Sequence, residues 1–146
     1  MAVLAVGSDL RADDAAGLLA AEQLVAMRRT GRQRMKVFFG QTAPENFTGE
    51  IRKYQPSHLV VLDAADSGRP GGTVTIADAS AAGVASIYCT HNLPLTVMLN
   101  YLAKSLDCQA FIIGIQPHII EFGQPSTPAI QRAAKRVAKA LHEAMS

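Results

Sequence analysis

The feature that most constrains the fold of this chain is the alternation of short apolar runs with longer segments of helical periodicity. The clearest run, from His58 to Asp63, reads His-Leu-Val-Val-Leu-Asp and is typical of a strand buried on both faces of a parallel sheet. Gly71 and Gly72 precede a run of alternating character, which indicates an edge strand that can be antiparallel. The predicted strands are Val3 to Gly7, Lys36 to Gly40, His58 to Asp63, Thr73 to Ile76 and Ala110 to Ile115.

The segments between these strands have the spacing of amphipathic helices. Asp13 and Asp14 open the first helix, where their negative charges suit the positive end of the helix dipole. A short second helix is expected to lead to Tyr54, and Asn92 with Pro94 marks the start of a third. The predicted apolar faces are Leu18, Ala21 and Val25 in the first helix, Leu95, Met98, Leu99, Leu102 and Leu106 in the third, and Ile130, Ala134, Val137 and Leu141 in a last helix.

Thr127 and Pro128 open that last helix, so strand–helix alternation continues along the whole chain. A chain of 146 residues suits one domain, which we assign to residues 1–146. The expected fold class is α/β, a three-layer α/β/α sandwich around a mostly parallel five-stranded sheet. Hydrophobic residues make up 49% of the chain and charged residues 18%, which supplies a large core and argues against disorder.

Composition also argues against several classes of partner. The net charge is only +2, tryptophan is absent and aromatic residues make up 5%, so nucleic-acid binding is not expected. No segment approaches the roughly 20 apolar residues of a membrane span, so no membrane insertion is expected. Cys89 and Cys108 are the only cysteines and lie far apart, which favours a reduced, cytoplasmic protein.

Candidate site residues follow from the rule that α/β sheets bind ligands beyond the carboxyl ends of their strands. This rule selects Gly7 to Asp14, Asp63 to Asp66 and the segment near His91. If the first and third strands are neighbours, Asp14, Asp63 and His91 can converge at one edge of the sheet. Two carboxylates and one imidazole can bind a borderline divalent metal and leave coordination positions open.

Each of these residues also has a structural interpretation. Asp14 can cap a helix, Asp63 can end a strand and bond loop amides, and His91 can lie on the surface or at a helix start. Asp13 competes with Asp14, because only one of two adjacent acids easily faces the strand ends while the other points to solvent or caps. Asp66 competes with Asp63 in the same way. The residues alone leave these alternatives open.

Cys89 supports a rival hypothesis, since a thiol two residues before His91 suggests Cys–His nucleophilic catalysis. Catalytic pairs meet in space rather than by adjacency, however, and a single buried cysteine usually packs without reacting. Gly7-Ser8-Asp9 lacks the G-x-G-x-x-G pattern, so phosphate binding there is not predicted. The basic residues from Arg28 to Lys36, and those of the last helix, are interpreted as solvated surfaces rather than docking patches.

Four blocks of sequence, supported by a fifth, extend in order over nearly the whole chain. They are Val6 to Gly17, Thr42 to Asn46, Leu62 to Asp66 and Thr90 to Leu95, with Gly114 to Pro117 in support. Together these blocks resemble the hydrogenase maturation endopeptidases. The Thr-Ala-Pro-Glu-Asn and Gly-Ile-Gln-Pro blocks are most similar to the branch that serves formate-hydrogenlyase-type hydrogenases.

The resemblance implies an aspartyl-type endopeptidase that removes the C-terminal extension of a nickel–iron hydrogenase large-subunit precursor after nickel insertion. The nickel would be carried by the precursor rather than by the protease. By resemblance, Asp14, Asp63 and His91 are both the metal-contacting and the catalytic residues. The resemblance thus selects Asp14 over Asp13.

The chain departs from the family pattern at three places. Ser8 stands where asparagine is usual, Ala15 where glycine is frequent, and Phe39-Gly40-Gln41 where some members carry an acid. These changes bear on loop geometry and precursor choice more than on metal contact. Two other functional classes stay open: a non-catalytic, nickel-dependent chaperone that binds the precursor, and a small-molecule hydrolase that uses Cys89.

Overall fold

The structure is a computed structural model that describes residues 1–28, 34–78, 88–89 and 92–145. Its strands are β1 (Ala2–Val6), β2 (Lys36–Gln41), β3 (His58–Asp66), β4 (Val74–Asp78), β5 (Tyr88–Cys89) and β6 (Gln109–Ile115). Five of them form the main sheet in the order β2-β1-β3-β6-β4, and the short β5 pairs with β3. The first four in this order are parallel, whereas β4 and β5 are antiparallel to their partners. The mostly parallel five-stranded sheet, with an antiparallel strand at its end, is confirmed.

Four α-helices in the described residues cover the sheet. They are α1 (Ala16–Ala26), α2 (Thr48–Tyr54), α3 (Asn92–Ser105) and α4 (Pro128–Ala144). Two 3₁₀ turns, Ala12–Ala15 and Pro44–Phe47, lead directly into α1 and α2. Within the described ranges, no helix is both long and apolar enough to cross a membrane.

The central strands β1 and β3 are buried on both faces, so the described residues form two cores, one on each side of the sheet. Along β1, Val3 and Ala5 pack in the core beneath α1 and α4. Leu4 and Val6 point to the opposite face and pack beneath α2 and α3. This alternation is the two-residue period of a strand, and it explains why the apolar runs of the sequence are continuous. The three-layer architecture is therefore confirmed.

The first helix differs in detail from its prediction. Asp13 and Asp14 belong to the 3₁₀ turn, and the α-helix itself begins two residues later, at Ala16. Leu18 and Ala21 are buried as expected, but Val25 is 41% exposed while Leu24 is fully buried. The buried face is turned by one residue because α1 packs against α4 as well as the sheet, a contact that the sequence of α1 alone does not reveal.

Candidate active site

Two glycines bring the turn that carries Asp14 against the carboxyl ends of β1 and β3. Gly7 leaves β1 with a φ of +142°, and a Cβ at this position would collide with the carbonyl oxygen of Asp14. A Cβ on Gly17, in the first turn of α1, would collide with the carbonyl oxygens of Leu62 and Val6. Both positions therefore require glycine, because only a residue without a side chain permits such close approach.

Asp14 and Asp63 both lie inside the protein near this edge of the sheet. Asp14 is 3% exposed in its turn, and Asp63 is fully buried in β3. The turn Ala12–Ala15 contacts β3, so the structure brings together the elements that carry two of the three predicted site residues. Charges withdrawn from water interact more strongly, because the effective dielectric constant is lower than in bulk solvent.

Asp63 does not end its strand, and the prediction of a strand end there is wrong. β3 continues to Asp66 because its last two residues pair with β5, in which Cys89 lies opposite Ala65. On its other side, Asp63 lies in register with Gly114 of β6.

His91 lies outside the described residues, so its predicted place in the site stays a prediction. Two nearby residues are described: Cys89 pairs through its backbone with Ala65, and α3 begins at Asn92. The chain thus passes the end of β3 shortly before His91 and starts a helix directly after it. The predicted packing role of the Cys89 side chain also lies outside what is described.

Asp13 is buried and bonds to backbone groups that lie more than a hundred residues later in the sequence. Its Oδ2 accepts hydrogen bonds from the N–H groups of His118 at 2.8 Å and Ile119 at 3.0 Å. Its Oδ1 accepts from the N–H of Thr127 at 2.6 Å, and the Thr127 hydroxyl lies 2.9–3.0 Å from both oxygens. Of the two alternatives for the second acid, pointing to solvent is wrong and capping backbone groups is right.

Gln116 holds together the loops next to this site. Its Oε1 accepts from the N–H of Ser67 at 2.7 Å, and its Nε2 donates to Oδ1 of Asp66 at 3.2 Å. The N–H of Gly68 at 3.0 Å and this amide lower the pKa of Asp66 from its usual 3.8, the Gly68 contribution being the larger. Asp66 is exposed and engaged in its turn, whereas Asp63, the predicted site acid, is buried. The Gly-Ile-Gln-Pro block was the sequence signal for Gln116, but its role as a link between loops was not predicted.

Other reactive groups do not add to the site. Glu45 is exposed in the turn after β2. Cys108 lies just before β6, and burial raises the pKa of its thiol, which disfavours the reactive thiolate. Among the residues that the structure describes, no three His, Cys, Asp or Glu side chains form a group that could hold a metal ion, and His91 is not among those residues.

The fold is that of an α/β protein, a class that binds ligands beyond the carboxyl ends of its strands. The family model described as hydrogenase maturation protease (HycI) matches residues 20–144. The hydrogenase 3 maturation protease of Escherichia coli strain K12 is 33% identical over 139 residues, which cover 95% of this chain and 86% of that protein.

Solved structures agree with the sequence comparison. The [NiFe] hydrogenase maturation protease HycI of Thermococcus kodakarensis is similar with a TM-score of 0.87 at 29% identity, covering 99% of this chain and 90% of that one. The endopeptidase HycI of Escherichia coli gives 0.84 at 33% identity, with coverages of 97% and 88%. This chain belongs to the hydrogenase maturation protease family, and it is an endopeptidase. The family and class predicted from the sequence are confirmed.

Proposed function

We propose that this protein removes the C-terminal extension of a nickel–iron hydrogenase large-subunit precursor after nickel insertion, and that it does so in the cytoplasm. The observation that carries the proposal is the pairing of two acids at one edge of the sheet. Asp14 and Asp63 are 3% and 0% exposed, and they lie on elements in contact with each other. Membership of a family of maturation proteases supplies the reaction class.

The proposed roles follow from the chemistry of the three side chains. The carboxylates of Asp14 and Asp63 and the imidazole of His91 would meet nickel that the precursor's own ligands already hold. Carboxylate and imidazole are both accepted ligands of borderline divalent metals. This contact would report that nickel is present and would place the scissile peptide bond nearby. The metal would then polarise the carbonyl or activate water.

The hydrogenase served is proposed to be of the formate-hydrogenlyase type. The Thr42 to Asn46 and Gly114 to Pro117 blocks support this choice, and so does the 33% identity to a protein named hydrogenase 3 maturation protease. Gln116, in the second block, links the ends of β3 and β6 through Ser67 and Asp66. That block therefore shapes the loops beside the proposed metal contact.

The test is cleavage of purified precursor with and without nickel, followed as mass loss. Nickel-loaded precursor is expected to lose its C-terminal peptide, whereas nickel-free precursor should resist, because the metal forms part of the recognition surface. Equal cleavage of the two forms would show that metal-directed recognition is wrong. Nickel-dependent binding without mass loss would favour the chaperone alternative.

The same assay tests the Cys89 alternative. Cys89→Ser is expected to cleave nickel-loaded precursor at the wild-type rate, since the thiol is proposed to pack rather than to attack. Cys108→Ser serves as a matched control for loss of a thiol elsewhere. Loss of cleavage in a folded Cys89→Ser protein, with normal cleavage by the control, would make Cys89 the nucleophile.

A further inference from the structure

We propose that Asp13 is a positioning residue, which holds the adjacent Asp14 in the orientation required to meet the metal of the precursor. The inference rests on the function proposed for Asp14. Asp13 itself is not proposed to touch the precursor, because it is fully buried. Its effect on cleavage would act through the geometry of the turn Ala12–Ala15.

The carboxylate of Asp13 is the centre of a clamp between the beginning and the end of the chain. It accepts hydrogen bonds from three backbone N–H groups, those of His118, Ile119 and Thr127, and from the Thr127 hydroxyl. Hydrogen bonds to an ionised acceptor are about twice as strong as bonds between neutral groups. The direction of the Asp13 side chain is therefore fixed by donors on both of its oxygens.

A backbone ladder extends this clamp along the turn. The N–H of Asp13 donates to the carbonyl of Ile119 at 3.0 Å, and the N–H of Ala12 donates to that of Gln124 at 3.1 Å. Gly123 donates to the carbonyl of Leu10 at 2.8 Å. The turn is thus held on one side by residues 118–127, while Gly7 and Gly17 bring its other side against the strands.

Ala12 gives independent evidence that the turn is held in a set conformation. Its φ is +49°, in the left-handed region that a residue with a Cβ rarely adopts, and it is almost fully buried. Such a conformation costs energy and persists where the surrounding structure imposes it. The bonds of Asp13 and Ala12 to the later segment are the contacts that impose it.

The orientation of Asp14 follows from that of Asp13. A 3₁₀ helix has three residues per turn, so consecutive side chains point about 120° apart. Because Asp13 points toward Thr127 at the start of α4, Asp14 cannot point the same way. Its turn contacts β3, the strand of Asp63. Releasing Asp13 from its donors would let the turn rotate and carry Asp14 away from Asp63.

The experiment measures kcat and KM for nickel-loaded precursor at a temperature where thermal melts show each variant folded. In Asp13→Asn an amide NH₂ replaces one acceptor oxygen and opposes N–H donors, so the clamp is broken while the side-chain size is kept. We expect kcat to fall about a hundredfold, the effect of misplacing a reacting group by about 1 Å, with KM close to that of wild type. Asp107→Asn, which changes an exposed acid just before β6, should leave both constants unchanged. A folded Asp13→Asn protein with the wild-type kcat would overturn the inference.

Variants of Thr127 and Asp14 complete the experiment. If Asp13→Asn does not fold, Thr127→Val, which removes only the hydroxyl donor, should lower kcat while Thr127→Ser restores it; equal kcat values for this pair would overturn the inference. Asp14→Asn tests the proposed function separately, because normal cleavage by that variant would remove Asp14 from the site. Loss of cleavage in Asp14→Asn with normal cleavage in Asp13→Asn would reject only the positioning role.

Discussion

At the scale of single residues, four aspartates near the carboxyl ends of the strands differ in their burial and in their contacts. Asp13 is surrounded by backbone donors and holds distant segments together. Asp66 is exposed and bonds its own turn through Gly68. Asp14 and Asp63 are buried on adjoining elements. The contacts of Asp13 and Asp66 give these two acids a structural role, whereas a site role is proposed for Asp14 and Asp63.

Replacing His91 by alanine is expected to abolish cleavage while the protein stays folded. The helix that begins one residue later is anchored by Leu95, Met98 and Leu99, each at most 3% exposed, so the core should survive. Loss of one of three proposed metal contacts should lower the cleavage rate by about a thousandfold. Gel-shift cleavage and thermal melts of both proteins measure this, with His58→Ala at the opposite end of β3 as control. Normal cleavage by His91→Ala would reduce His91 to a helix-start residue.

The lowered pKa of Asp66 predicts how the stability of the folded protein depends on pH. Its folded pKa is lowered from 3.8, first by the Gly68 N–H and then by the Gln116 amide. A lowered folded pKa means that the stabilisation is fully present above pH 3.8 and is lost as the pH falls through the folded pKa. Asp66→Asn is therefore expected to be less stable than wild type near neutrality, with a gap that narrows in acid. Urea unfolding midpoints across this range measure the gap, and a gap independent of pH would contradict the assignment.

At the scale of elements, the site depends on how closely α1 approaches the sheet. Gly17 sets this distance through its contact with the backbone of β1 and β3. Together with the apolar side chains of α1 that pack on the sheet, this contact sets how near the turn Ala12–Ala15 lies to the strand ends. A substitution that adds a Cβ at Gly17 therefore tests the contact between α1 and the sheet.

Gly17→Ala is expected to destabilise the protein by about 1–3 kcal/mol, the usual effect of forcing extra volume into a packed site, and to slow cleavage. The matched control is Gly49→Ala in α2, where a new Cβ would meet nothing within 4 Å. That control should stabilise the protein by up to about 1 kcal/mol, because alanine favours helix over glycine. Urea unfolding of the two variants measures both effects. Equal stability of the two would show that α1 can move away from the sheet without cost.

At the scale of the whole molecule, the strands and helices that depend on a local pattern of apolar residues could be predicted from the sequence. The apolar runs of β3 and β6 and the stripe of α4 report burial directly, and each occurs where it was expected. The extension of β3 to Asp66 was not predictable, because it depends on pairing with β5. For the same reason, the residues alone could not predict which of Asp13 and Asp14 faces the strand ends. The donors that engage Asp13 lie 105 to 114 residues away, and no local pattern reports them.

The clamp between Asp13 and Thr127 also has a consequence for the order in which the protein is made. β1 and the turn Ala12–Ala15 are synthesised early, whereas Thr127 is added only after the six described strands have been translated. Until then, a nascent chain has Asp14 and Asp63 but lacks the backbone donors that engage Asp13. If the clamp positions Asp14 as proposed, the protease becomes competent only when residues 118–127 have emerged from the ribosome and α4 has docked on α1.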